Sequence, residues 1–119
     1  MARAIDSALA QQIESLEVVV VDDGSRDGTA RVLEGYGDRI RVIRKKSNRG
    51  LAAARNFAVD HARGHFLAFL DADDEWLPGR LEKTITALET HPTTSMAFSD
   101  VVPIDRNGVA LALTSVFCV

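Results

Sequence analysis

Two apolar runs in this chain drive straight into acid. Val18-Val19-Val20-Val21 closes on Asp22-Asp23-Gly24-Ser25, and Phe66-Leu67-Ala68-Phe69-Leu70 closes on Asp71-Ala72-Asp73-Asp74-Glu75. A short, unbroken apolar run suits a strand buried on both faces, the habit of parallel sheets. Parallel neighbours need a crossover between them, so helices should alternate with the strands. Carboxylates crowded at the end of a buried strand repel and raise one another's pKa unless something positive meets them. In open α/β sheets, ligands sit at the carboxyl ends of the strands. The two acidic clusters therefore mark one sheet edge as the place to look for function.

The rest of the chain supplies the alternation. Ile5, Leu9 and Ile13 recur at helical spacing over residues 3–13. Asp27 and Thr29 can start a helix to about Tyr36, ended by Gly35 and Gly37, and Ile40 to Ile43 reads as a second strand. Asn48 and Gly50 open an alanine-rich helix, Leu51 to Ala62, with Gly64 where a left-handed cap is wanted. Residues 65–70 read as a third strand, with Phe66, Phe69 and Leu70 in the core. Leu77 to His91 is a helix with Pro78 in its first turn and Leu77, Leu81, Ile85 and Leu88 as its stripe. Ser95 to Val102 is a fourth strand, Asn107-Gly108 a hairpin signal, and Val109 to Val119 its return. The class is α/β.

Composition excludes several partners. The chain of 119 residues, 46% hydrophobic and 26% charged, reads as one soluble globular domain spanning residues 1–119. A net charge of -3, from 14 basic and 17 acidic residues, gives no case for a nucleic-acid partner. Cys118 has no second cysteine to pair with, which fits a reducing compartment. No run approaches the roughly eighteen apolar residues of a membrane span. The opening MARAIDSALAQQ lacks the apolar core of a signal peptide, so a cytoplasmic location is expected.

Three constellations carry chemistry. Asp71 and Asp73 are two apart where a strand loses its regularity, so they can turn toward a common point. Mg²⁺ or Mn²⁺ takes six oxygen ligands and commonly uses one or two carboxylates plus substrate phosphates. The plain alternative is a solvated acidic turn that caps the next helix, a role that suits Asp74 or Glu75. Asp22 and Asp23 can accept hydrogen bonds from a base or ribose hydroxyl, and Gly24 lets a backbone pass closely; the alternative is a simple turn with Asx capping. Arg44-Lys45-Lys46, Asn48-Arg49-Gly50 and Arg55 form a basic set suited to a diphosphate. Within it, Lys45 and Lys46 read as a solvated loop, whereas Arg55 interrupts a stretch that should pack. Trp76 suits the wall of a sugar pocket or plain core, and His61, His65 and His91 are too isolated to argue a metal site.

EVVVVDDGSRDGT, NRGLAAARN and GHFLAFLDADDEWLPGRLEK, in this order and spacing, closely resemble the family-2 glycosyltransferases with their GT-A-type nucleotide-sugar fold. The resemblance runs from about Ile5 to about Asp100. It implies a three-layer α/β/α, Rossmann-like sheet and transfer of a sugar from a nucleoside-diphosphate donor (UDP-, GDP- or dTDP-linked) to an acceptor hydroxyl, usually with inversion. It implies nucleotide contacts from Asp22, Asp23, Gly24, Ser25, Asn48, Gly50, Arg55 and Asp71, with Asp23 on the base or ribose. It implies Mn²⁺ or Mg²⁺ on Asp71 and Asp73, with Asp73 the principal ligand. It also implies polysaccharide assembly at the inner face of a membrane in the full-length protein.

Two departures qualify the resemblance. The family begins with a strand that precedes the helix near Ile5 and lies between the strands equivalent to Val18–Val21 and Phe66–Leu70. The chain also stops short of the half where the family carries its base, so no general base is identified and a fragment truncated at both ends is expected. Two interior strands would then have open edges, to be filled by the tail Val109–Val119 or by strand exchange in an intertwined homodimer. A haloacid-dehalogenase-like phosphotransferase also places DxD after an apolar strand, but wants Thr or Val where this chain has Glu75. A non-catalytic nucleotide-sugar-binding module is the third reading.

Overall fold

The computed structural model describes residues 1–111. Its elements are α1 (Ala2–Leu9), β1 (Val19–Asp22), α2 (Thr29–Glu34), a 3-10 turn at Gly37–Arg39, β2 (Arg41–Arg44), α3 (Leu51–His61) and α4 (Arg80–Thr90). β1 and β2 pair in parallel, with Val20 opposite Val42 and Asp22 opposite Arg44. The ladder runs one step further at each end, through Arg41 N–H to Val18 O and Lys45 N–H to Asp22 O, both at 2.8 Å. α2 is the crossover that a parallel pair requires.

The core follows from the two periods. Ile5 from α1, Leu33 and Tyr36 from α2 and its exit, and Ile40 at the entry to β2 form one buried cluster, against which Leu9, Val18, Val20 and Val42 pack. Alternation places Val19, Val21 and Ile43 on the opposite face of the two strands, and α3 lies against β1. Leu33 is the largest fully buried side chain, at 1% exposure. Burying such a side chain stabilises the fold by roughly 1.5–3 kcal/mol. The Tyr36 hydroxyl reaches Asp6 Oδ1 at 3.0 Å and Ala2 O at 3.1 Å, tying α2's exit to α1. Burial and then the Asp6 contact push that phenol above its ordinary pKa.

Several expected boundaries move for local reasons. α1 stops at Leu9, short of Ile13, because the chain tightens there: Gln11 N–H bonds Ala8 O at 3.1 Å. Gly64 does not cap α3 in a left-handed conformation; Ala62 leaves the helix in an extended one. α4 begins at Arg80, so Pro78 and the exposed Leu77 stand outside it, and Gly79 at φ 73° makes the turn that admits it. A residue before proline resists helical ψ, which keeps Leu77 out of the helix. Within α4, Leu81 is buried and Ile85 and Leu88 half-buried, as the stripe requires.

The third and fourth strands do not form. Residues 65–70 make no ladder, and Phe66, Phe69 and Leu67 are exposed rather than core; only Leu70 is half-buried. Residues 95–102 are likewise unpaired, with Phe98 88% exposed. Both runs have the composition of strands but no neighbour among the described residues to pair with. The hairpin signal does form: Gly108 adopts φ 82°, Ile104 bridges Ala110, and Leu111 N–H bonds Pro103 O at 2.9 Å. The start of the expected return strand thus pairs with 103–105, not with β1. Residues 112–119, the rest of that strand and Cys118, lie outside the described residues.

Candidate functional site

β1 ends in a turn whose backbone the first acid shapes. Asp22 is buried, and its Oδ1 accepts the Ser25 N–H at 2.8 Å, an Asx turn. Gly24 sits at φ 87°, and a Cβ there would lie 3.1 Å from Asn48 N and Ser47 C. The close approach made possible by Gly24 is therefore that of the Ser47-Asn48 backbone, which presses the DDGS turn against the loop leading into α3.

Asp23 fastens that loop. Its Oδ2 accepts the Arg49 N–H at 2.9 Å and the Gly50 N–H at 3.0 Å, and Asn48 Oδ1 shares the Gly50 amide at 2.9 Å. Gly50 is at φ 86°, which suits only glycine, so the turn into α3 and this pair of amides come together. Asp23 Oδ1 faces Lys45 Nζ at 2.5 Å, with the two side chains only 16% and 13% exposed. Lys45, expected in a solvated loop, is instead a partner of the site. The Lys45 ammonium, with the Arg49 and Gly50 amides, holds the Asp23 carboxyl below the usual carboxylate range.

The second acidic cluster reaches the same helix. Arg55 extends from α3 to Asp71 Oδ1 at 2.6 Å, and its guanidinium lies 5.9 Å from the centre of the Phe69 ring. Gly50 and Arg55 are five residues apart, about 7.5 Å along a helix axis at 1.5 Å per residue. Both acidic turns are thus anchored at the start of α3, one on the two amides that lead into it and the other on Arg55 within it. Asp74 N–H bonds Asp71 O at 3.1 Å, so Asp71 to Asp74 form one tight turn that carries Asp73 outward into solvent.

The far end of this turn is held by α1. Ser7 Oγ accepts the Trp76 N–H at 3.0 Å, and Arg3 pairs with Glu75 at 2.8 Å. The buried Gln11 side chain donates to Leu77 O at 3.0 Å and accepts the Leu81 N–H at 3.1 Å, satisfying an orphan donor at the start of α4. Trp76 is half-buried beneath the Arg80 guanidinium, 4.9 Å from its ring centre, in a packing role.

The donor set suits a hard cation. Asp71 and Asp73 offer oxygen ligands from one short turn, and Asp73 makes no ion pair among the described residues. No group of three or more His, Cys, Asp or Glu side chains among the described residues could hold a metal, so a cation here would depend on ligands from elsewhere, as Mg²⁺ and Mn²⁺ do when they use phosphates. Two surface depressions, of about 440 and 250 Å³, lie beside α2 and at the amino-terminal strand ends, and neither touches the acidic turns.

Sequence reasoning missed Lys45 and Gln11. Register alone points to the first: with Asp22 opposite Arg44, the next pair along a parallel ladder is Asp23 and Lys45. The signal for Gln11 is weaker, a polar residue between apolar positions at the end of a helical pattern.

Known proteins resemble this chain over most of its length. The glycosyl transferase family 2 model matches residues 1–113. EpsE of Bacillus subtilis (strain 168) is 37% identical over 113 residues, covering 92% of this chain and 41% of EpsE. TuaG of the same organism, a name in teichuronic acid biosynthesis, is 42% identical over 114 residues, covering 86% of this chain and 44% of TuaG. The succinoglycan biosynthesis protein ExoU of Rhizobium meliloti (strain 1021) is 46% identical over 89 residues, covering 72% of this chain and 26% of ExoU. The chain spans less than half the length of each of these relatives. No described helix is long and apolar enough to cross a membrane. With a parallel α/β core, two acidic turns gathered at the start of one helix and the family's model matched across residues 1–113, this protein belongs to glycosyl transferase family 2.

Proposed function

We propose that the chain is the donor-binding part of a glycosyltransferase that moves a sugar from a nucleoside-diphosphate donor to an acceptor hydroxyl, with inversion. The observation that carries this reading is the convergence at the start of α3: Asp23 holds the Arg49 and Gly50 amides that lead into it, and Asp71 pairs with its Arg55. The resemblance implies that Asp23 meets the base or ribose, and of the two we take the base, whose N–H can donate to a carboxylate. Arg55 lies where a diphosphate beside Asp71 would need a bidentate donor. Asp71 and Asp73 are the residues that would hold Mn²⁺ or Mg²⁺. Bound there, the cation supplies Lewis-acid neutralisation of charge on the departing diphosphate. The names of TuaG, in teichuronic acid biosynthesis, and ExoU, in succinoglycan biosynthesis, support polysaccharide biosynthesis as the setting.

Thermal unfolding with UDP, GDP and dTDP, each with and without Mn²⁺, tests the proposal. A ligand that binds only the folded form adds about 2.7 kcal/mol at one hundred times its Kd. The expected result is a rise in melting temperature that needs both nucleotide and metal and disappears in Asp73→Ala. A rise with Mn²⁺ alone, or one that survives Asp73→Ala, contradicts it.

A further inference from the structure

Asp23 has one acceptor oxygen to offer a ligand, and a side chain of this protein already holds it. Oδ2 is engaged by the Arg49 and Gly50 amides. Oδ1 faces Lys45 Nζ at 2.5 Å as an ion pair, and both atoms are shut off from solvent with no hydrogen-bond partner among the described residues. The lysine is placed there by the fold: its own N–H continues the parallel ladder to Asp22 O at 2.8 Å, so its side chain leaves from beside the DDGS turn. The Phe57 ring of α3 lies 5.9 Å from the ammonium. An ammonium offers three N–H donors, and this one is held by charge against one oxygen with none of the three in a hydrogen bond among the described residues.

We propose that the Lys45 ammonium is an internal occupant of the base site, standing where a nucleobase N–H must come to reach Asp23 Oδ1, so that its displacement sets donor affinity. This rests on the reading of Asp23 as the base contact. A site open in about one molecule in ten binds about ten times more weakly than one always open. Lys45 is the residue whose removal should strengthen binding, whereas loss of an ordinary structural pair would weaken it.

Calorimetric titration of the 119-residue chain with UDP, GDP and dTDP in the presence of Mn²⁺ decides the matter. Lys45→Met should bind at least one of the three about tenfold more tightly than the unmodified chain, and Asp23→Asn should bind that nucleotide more weakly. Lys45→Gln, which keeps a polar side chain, carries the same test if the methionine variant does not fold. The proposal is overturned if the lysine variants bind no more tightly while Asp23→Asn weakens binding. If Asp23→Asn changes nothing, or no nucleotide binds any of the proteins, the base-contact reading itself fails and this proposal with it.

Discussion

Two stretches with the same design meet different fates. Val19–Asp22 and residues 66–71 are each an apolar run closing on an aspartate. The first pairs with β2 on one edge and is covered by α1 and α2 on one face; the second forms no ladder and leaves Leu67 50% exposed. The difference lies in the neighbours, not in the run itself. Backbone N–H and C=O groups need partners, and a strand supplies them only where another strand lies alongside. An apolar run states what a segment can bury, while its pairing depends on the segments brought beside it.

The contrast predicts a gradient of mutational cost. Leu33→Ala should cost about 2–5 kcal/mol of folding stability, while Leu67→Ala should stay within about 0.5 kcal/mol, both read from urea unfolding. A large loss at Leu67 would break the comparison, because it would mean that the 66–70 run is covered in solution. Gln11→Ala should fall between them, at about 1–3 kcal/mol, since it strands the buried Leu81 amide and the Leu77 carbonyl. A cost near zero would mean that α1 does not hold the acidic loop.

The smallest effect is on pH dependence. Asp23 has its folded pKa depressed below the ordinary 3.8. As pH falls, the unfolded chain takes up this proton first, so stability declines. The Asp23 contribution is complete above the ordinary pKa and is lost as pH drops through the lower folded value. Asp27 and Asp105, held low by hydrogen bonds to Thr29 and to the Val109 and Asn107 amides respectively, add to the same slope. Stability should therefore fall below about pH 4, and Asp23→Asn should make the fall shallower. An unchanged slope in that variant would show that Asp23 is not held as described.

The sequence was most legible where local period and packing agree. The β1–α2–β2 unit follows from an apolar run, a helical stripe through Leu33 and a second alternating run, and the structure has all three. The hairpin at Asn107-Gly108 was legible because its chemistry is local. Residues 65–70 and 95–102 were not, because composition cannot say whether a neighbouring strand is present. The carboxylates were legible as two acidic clusters after apolar runs, yet their connection through Arg49, Gly50 and Arg55 was not. Those contacts span 16 to 27 residues of sequence and depend on how α3 is docked. Lys45 stands in a basic loop, a setting that predicts solvent exposure; register with Asp22 places it otherwise.

The most direct test of the account is where a paramagnetic cation settles. In backbone amide NMR spectra of the chain with UDP, GDP or dTDP, small additions of Mn²⁺ should first broaden the signals of Asp71 to Asp74 and of residues 49–55, the entry to α3 and its first turns. Signals in the last turn of α4 should stay sharp. Broadening that begins instead at Asp60, Glu82 or Glu89, or that spreads evenly over the acidic surface, would contradict a donor site built where the two acidic turns meet the start of α3.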